Sequence, residues 1–484
     1  MVSSMPGINE LVSRTVDPRI DVDSNSSLGQ ASTTPRSGMR VNEYARRQKL
    51  RAQKLLGKDR WPSGRGHKFT YVLLLLYTFF VFFRPYELIP GAGFLSSITY
   101  FIAVATLVVF VFTQLSTTGS LSVFVMEIKA VLALTVLAVL TLPFARGPGL
   151  AWETFSDAFI KAVLIFIVLT NVIQTRRQLM LIIGVSLTMG FYVSCLALNL
   201  YMKGEFDADG YRVAVDLKGL FGNPNDMALH LSTMVPLALA LGAGAKNWFA
   251  KSGYYSLTIL MMIAVTVTFS RGGFLGLAVS LLVVAWKLSR RGRLKVLAGA
   301  AFATFLFTLL VPGSYGTRLL SMFIPGLDPT GSATARKGVL ITSILVTLRN
   351  PWGVGIGNSP LFGAHDHETH NAYTQVSSEL GILGLVAYLI FLVWPIRMLG
   401  IIERNTITEN EGSWIYYMSV GIQGALIAFM VSSFFASVAY NWYAYYLVAY
   451  GVCLRRIYWS EFKSTSNIRD TKYDRDEMIA TGVI

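Results

Sequence analysis

Residues 95–114 read LSSITYFIAVATLVVFVFTQ, a run of twenty positions without a charged side chain. A mostly apolar stretch of about 20 residues is long enough to cross a bilayer as a helix. Similar stretches recur along the chain, and the sequence predicts twelve spans, at 69–83, 95–114, 122–142, 155–172, 179–200, 226–245, 254–270, 272–287, 295–312, 380–399, 414–434 and 437–454. The predicted fold class is therefore an all-α, polytopic integral membrane protein with about 12 transmembrane helices.

The composition agrees with this prediction. Of the 484 residues, 53% are hydrophobic and only 14% are charged, whereas soluble domains carry about 25% charged residues. These values exclude an ordinary water-soluble enzyme. The 2 cysteines exclude a disulfide-stapled secreted domain and a cysteine-rich metal site.

The charges are distributed unevenly. Residues 1–68 are polar and hold 13 of the 42 lysines and arginines. They lack the apolar core of a signal peptide, and no aromatic residues are interleaved with the basic run, so we expect no nucleic-acid partner. We predict a disordered, basic cytoplasmic tail over 1–68, a transmembrane domain over 69–456 and a cytoplasmic C-terminal tail over 457–484.

The positions of the lysines and arginines also predict the orientation. With residue 1 in the cytoplasm, the inner connections hold 30 of these residues and the outer connections hold 10. The positive-inside rule therefore favours an N-in, C-in topology. Both long polar loops, 201–224 and 313–379, then lie on the extracytoplasmic face, the second between spans nine and ten.

Two clusters on that face precede spans six and eight. The first contains Arg212, Lys218 and the segment GLFGNPN over 219–225, where Asn225 or Asp226 could cap the next helix. Asn223 fits either a cap or a hydrogen bond to substrate. The second cluster is Ser-Arg-Gly-Gly over 270–273. Its glycines permit close approach of a backbone or a ligand, and Arg271 suits either phosphate oxygens or the lipid headgroup level.

Two more clusters lie in the second loop. Arg336 precedes an amphipathic stretch and the segment NPWGVGIGN over 350–358, which also fits an interfacial helix anchored by its tryptophan. The other cluster, HDHETHNAY over 365–373, holds three histidines. It lacks the His-Glu-x-x-His spacing of zinc enzymes, so we expect no metal. His370 is a candidate general base, whereas His365 and His367 fit a solvated surface.

Together these four clusters resemble the O-antigen ligase and polymerase family of bacterial envelope glycosyltransferases, over about residues 200–395. The resemblance implies a fold similar to the multispanning C-type glycosyltransferases, in the bacterial inner membrane. It implies transfer of an undecaprenyl-diphosphate-linked glycan to a glycan, lipid A core or protein acceptor on the outer face, with inversion and without metal or cofactor.

The resemblance also implies roles for individual residues. His370 matches the base that orients the acceptor or takes its proton, and Arg271 matches an arginine at the diphosphate. Arg212 and Arg336 match further arginines, and Lys218 and Asn223 are added as substrate-binding candidates. Ligase, polymerase and protein O-oligosaccharyl ligase activities stay open. A polysaccharide flippase or secondary transporter is the alternative from another class, although its polar groups would be expected within broken helices rather than on one face.

Overall fold

The computed structural model describes residues 59, 61, 66–89, 91, 93–206, 211–215, 221, 223–289, 294, 298, 299, 332–362, 369–409 and 414–480, with their side chains except at 87, 88, 332–336, 407–409 and 462–480. The longer helices in these residues are α1 (Lys68–Phe83), α2 (Phe94–Thr118), α3 (Met126–Thr141), α4 (Pro148–Val172), α5 (Arg176–Lys203), α6 (Pro224–Gly244), α7 (Trp248–Val267), α8 (Arg271–Leu288), α9 (Ser332–Arg349), α10 (Ala372–Glu409), α11 (Trp414–Ser432) and α12 (Trp442–Ala480). Shorter helical turns lie at Pro85–Leu88, Leu142–Phe144, Ser359–Phe362 and Ser433–Phe435, and Thr154–Phe159 within α4 is π-helical.

The described residues form helices and connecting turns and no β-strand, which confirms the all-α class and the polytopic architecture. Every predicted span except 295–312, of which only residues 298 and 299 are described, coincides with a helix. Within the described ranges, 9 helices are long and apolar enough to cross a membrane, and α1 is shorter, with 16 residues. The total of twelve spans remains a prediction.

The helices differ in how deeply they are packed. In α6, 78% of the most apolar window is buried, whereas the corresponding window of α2 is only 11% buried. Small residues allow close contact around α6 and α11: a Cβ added at Gly424 would lie 2.9 Å from Pro236 Cβ, and one at Gly276 would collide with Ser432. Close packing through small residues is typical of helices in membranes.

Successive helices run between two ends of the bundle. At one end, called here the tail end, Arg455 binds Glu127 with two hydrogen bonds of 2.7 and 2.9 Å, and His67 Nε2 lies 2.9 Å from Gln114 Oε1. At the other, called the site end, lie the connections before α6, α8 and α10. The candidate residues that the structure describes, including Arg212, Arg271 and His370, gather at the site end.

Candidate active site

The start of α8 places a cation at the positive end of a helix. Ser270 is the N-cap, and its Oγ accepts a hydrogen bond of 3.3 Å from the backbone N–H of Gly273. Arg271 is the first helical residue and is buried, with 9% of its surface exposed. The helix dipole does not favour a cation at this position. Arginine and helix terminus together therefore form a positive region that suits an anion.

The glycines after Arg271 are explained by packing between helices. A Cβ added at Gly272 would lie 2.7 Å from Phe435 Cβ, and one added at Gly273 would collide with Ala228 on α6. Of the two roles that the sequence left open, close approach of protein rather than of a ligand accounts for both glycines. The tight packing holds the start of α8 against its neighbours, so the backbone that carries Arg271 is rigid.

Arg212 is tied to the same turn. Its Nε donates to the carbonyl of Thr268 at 3.1 Å, and its Nη2 donates to Asn225 Oδ1 at 2.9 Å. Ser270 Oγ donates to that same Asn225 oxygen, also at 2.9 Å. Asn225 thus joins the arginine of the loop before α6 to the turn before α8. The structure brings Arg212 and the Ser-Arg-Gly-Gly turn together.

The backbone around these groups is strained. Phe221 and Phe269 have φ values of 63° and 52°, and His370 has a φ of 46°. Side chains other than glycine rarely adopt this region, and such residues are held there only by surrounding structure. Strained positions cluster at functional sites. Phe269 lies two residues before Arg271 and His370 is itself a candidate, whereas Arg84, with a φ of 41°, is not among the predicted site residues.

Three predicted binding residues have different outcomes. Asn223 is the N-cap of α6, its Oδ1 accepting the Asn225 N–H at 2.9 Å, with Pro224 as the first helical residue. The predicted cap at Asn225 or Asp226 was therefore wrong, because proline starts a helix readily and shifts the cap to the preceding residue. Lys218 lies outside the described residues. Arg336 lies within α9, but its side chain is not among those described.

His370 lies two residues before the start of α10 and is half-buried. Its backbone N–H donates to Ser437 Oγ at 2.8 Å, and the hydroxyl of Thr369 lies 3.1 Å from that oxygen. Ser437 follows Phe435, which packs on Gly272 at the start of α8. The segment after α11 therefore contacts both the His370 turn and the Arg271 turn, and it connects the two halves of the candidate site.

The glycine-rich segment 350–358 is packed into a break in α10. At Gly381 the helix has φ 76° and ψ −177°, so its hydrogen-bond ladder is interrupted. Val354 N–H donates to the carbonyl of Ser378 at 2.9 Å, and Gly355 N–H donates to that of Glu379 at 3.0 Å. Span ten was predicted to begin at 380, but helical structure begins at Ala372. The helix begins earlier than predicted because residue 371 caps it. In addition, backbone N–H groups of the 350–358 segment bond to the carbonyls at the break in α10.

Side chains also hold this segment in place. Asn358 is fully buried; its Oδ1 accepts the Gly147 N–H at 2.6 Å and its Nδ2 donates to the Gly147 carbonyl at 3.3 Å. Ser359 Oγ donates to Glu379 Oε1 at 2.6 Å. The connection between α9 and α10 thus contains a part that buried side-chain hydrogen bonds hold in place.

Metal binding has no support in the described part of the chain, where no group of three His, Cys, Asp or Glu side chains could hold an ion. His365 and His367, with the two acidic residues beside them, lie outside the described residues. The expectation of a metal-free site therefore stays a prediction.

Sequence reasoning missed two residues that organise the site. Asn225 stood in a quoted motif, but only as a possible cap. Ser437 carried no signal, because it stands at the start of a predicted apolar span and contacts a residue 67 positions away. Polar residues at the ends of spans on the predicted site face would have been the only available clue.

Comparison with known families gives one match. Residues 256–389 match the family model described as O-antigen ligase. This region includes Arg271, Arg336 and His370, whereas Arg212, Lys218 and Asn223 precede it. No curated protein matches the chain.

Proposed function

We propose that the chain transfers a polyprenyl-diphosphate-linked oligo- or polysaccharide to an acceptor hydroxyl, on the premise that residues 256–389 match the family model described as O-antigen ligase. Glycosyl transfer of the ligase or polymerase type is the general activity of the family. The lipid-linked donor, the acceptor and the mechanism are our proposals for this chain.

The observation that carries the proposal is the cationic arrangement at the site end. Arg271 sits at the N-terminus of α8, and Arg212 is fixed to the same turn through Asn225 and Thr268. Two arginines and a helix terminus offer several donors to one anion of high charge. A diphosphate leaving group is such an anion, and its developing charge would be stabilised without a metal.

His370 supplies the base in this mechanism. The oxygen of the acceptor hydroxyl attacks the anomeric carbon, and the hydroxyl proton passes to the imidazole of His370. The bond between the anomeric carbon and the diphosphate oxygen breaks, and its electron pair leaves with the diphosphate. Attack from the face opposite the leaving group inverts the configuration.

The proposed location is the bacterial inner membrane. The lysine and arginine distribution supports an N-in, C-in topology, which directs the site end to the periplasmic or outer face. A lipid-linked glycan presented in the outer leaflet would then meet Arg271 and His370 directly. Polysaccharides, lipid A core and protein hydroxyls are all candidate acceptors there.

The test is the profile of lipid-linked glycans in a deletion strain complemented with wild-type protein or with His370→Ala. Because a placed general base contributes about 10²–10⁴-fold, His370→Ala should be present at normal levels yet leave the donor unused. His367→Ala is the matched control, since the sequence predicts that this histidine is solvated, and it should restore transfer.

The species that accumulates separates the activities. Single repeat units on the outer leaflet indicate a polymerase, and full-length chains retained on the carrier indicate a ligase. Units trapped on the inner leaflet would instead favour a flippase. A normal profile with His370→Ala would contradict the proposed mechanism.

A further inference from the structure

Asn371 follows the proposed base and caps α10. Its Oδ1 accepts backbone N–H groups from Tyr373 at 2.9 Å and from Thr374 at 3.0 Å. These two bonds decide the orientation of the side-chain amide, because only the oxygen can accept them. The amide nitrogen, Nδ2, is therefore directed away from the start of the helix.

That nitrogen is a buried donor without an acceptor. Asn371 is 2% exposed, and its Nδ2 has no hydrogen-bond partner among the described residues. Ser437 Oγ accepts the His370 N–H and Gln375 Oε1 accepts the Ala439 N–H, and neither oxygen is bonded to Nδ2. Native structures seldom leave a buried donor unpaired, and each such group requires an explanation.

Capping alone does not explain an asparagine here. Serine and aspartate cap helices about as well as asparagine, but an ionised aspartate has no donor, and serine caps and donates through one short hydroxyl, so neither places a donor where Nδ2 lies. What asparagine adds is the amide nitrogen Nδ2, which carries two N–H groups. This nitrogen belongs to the residue directly after His370.

We propose that Asn371 Nδ2 is a substrate-binding group that donates a hydrogen bond to a substrate oxygen beside His370, either on the diphosphate or on a sugar. The inference rests on the proposed function, which supplies the substrate class and the role of His370. It adds a neutral donor to a site otherwise described by its arginines and histidine.

The test compares variants that keep the cap with one that removes it. Asn371→Ser keeps an oxygen for the cap but lacks a donor at the position of Nδ2, and Asn371→Ala loses both. Asn247→Ser is the matched control, because Asn247 caps α7 at the tail end, where its Oδ1 accepts the Phe249 N–H at 3.0 Å. Each variant is purified as the full chain for its melting temperature and is tested for glycan transfer in the complemented deletion strain.

We expect Asn371→Ser to keep the wild-type melting temperature and to lower transfer about tenfold, the size of one ordinary hydrogen bond. Asn247→Ser should transfer normally. Wild-type transfer by Asn371→Ser would overturn the inference. If the serine variant melts as low as Asn371→Ala, the deciding variant is Asn371→Asp, which keeps the cap and the shape of the side chain. Lowered transfer by Asn371→Asp at a normal melting temperature supports the inference. Full transfer by Asn371→Asp overturns it.

A binding measurement identifies the oxygen. Affinity for undecaprenyl diphosphate, measured with the purified full chain, should fall in Asn371→Ser if the acceptor is a diphosphate oxygen. Unchanged affinity with lowered transfer places the bond on a sugar. The His370→Ala arm separates the two proposals, because an inactive His370→Ala beside a fully active Asn371→Ser refutes only the role of Asn371.

Discussion

The single residue Asn225 links Arg212 to the turn that carries Arg271. Its Oδ1 accepts from Arg212 Nη2 and from Ser270 Oγ, both at 2.9 Å. Two donors that come from positions 58 residues apart in sequence therefore share one acceptor. Removing that acceptor would leave a guanidinium nitrogen and a buried hydroxyl to find other partners, and the fixed spacing of the proposed diphosphate site would be lost.

Asn225→Ala should therefore weaken diphosphate binding more than it weakens the fold. Loss of a positioned hydrogen bond to a charged group corresponds to about 1.5–3 kcal/mol, or roughly 10- to 100-fold in affinity. Binding of undecaprenyl diphosphate to the purified chain measures the effect, with Asn247→Ala at the tail end as the control. Equal affinities for Asn225→Ala and wild type would show that Arg212 does not depend on this contact.

Arg271 and His370 could be chosen as candidates from the sequence because their residue types are unusual between apolar spans and because their neighbours form motifs. Asn225 and Ser437 were not, since their roles come from contacts between segments that are distant in sequence. The Arg212–Thr268 bond spans 56 positions and the His370–Ser437 bond spans 67. Local patterns do not contain such pairings.

At the level of elements, the break in α10 and the segment 350–358 form one unit. The break frees carbonyls that would otherwise be unpaired in a membrane-spanning helix, and loop amides satisfy them. Gly353 has φ 93°, and a Cβ there would collide with the carbonyl of Glu379; Gly381 faces the carbonyl of Pro351 in the same way. The sequence predicted a tight loop and a helix here, but periodicity alone does not indicate that one is inserted into the other.

Gly353→Ala should thus destabilise the protein, by about 1–3 kcal/mol for the strained backbone, with the collision adding to this. Gly338→Ala is a matched control, because Gly338 lies in α9 with open space at its Cβ position, and alanine favours a helix by about 0.5–1 kcal/mol. Thermal unfolding of both purified variants measures the difference. A Gly353→Ala protein as stable as Gly338→Ala would mean that the segment can withdraw from α10.

For the whole molecule, hydropathy predicted which segments become helices, and the charge distribution predicted which connections share a face. The structure places the described candidate residues at one end of the bundle, consistent with connections that alternate between the two faces of the membrane.

The contacts of the predicted N-terminal tail were not foreseeable. Asp59 pairs with Arg455 at 2.8 Å, and Trp61 lies under the guanidinium of Arg456. Both tail residues stand in a polar stretch without periodicity, and their partners follow an apolar span almost 400 positions away.

Arg455 is the centre of the tail end, and its two carboxylate partners differ. Glu127 is fully buried and binds the guanidinium through both oxygens. Asp59 lies at the margin, and burial raises the pKa of its carboxyl from 3.8 to about 6, although Arg455 opposes the shift. The raised pKa means that the surroundings of Asp59 favour its protonated form over its ionised form. Glu127 is therefore expected to provide most of the compensation for the buried arginine.

Two isosteric variants test this division. Glu127→Gln should cost about 3–5 kcal/mol, because it removes the charge that compensates a buried guanidinium, whereas Asp59→Asn should be close to neutral at pH 7. Since the folded state binds the Asp59 proton more tightly than the unfolded chain does, wild type should gain stability relative to Asp59→Asn as the pH falls from 7 towards 4. Melting temperatures of the purified chains at pH 7 and pH 5 measure both effects. Two results would assign the compensating charge to Asp59: a large loss of stability in Asp59→Asn at pH 7, or a stability difference from wild type that does not change with pH. Either result would mean that the tail contributes to the stability of the bundle.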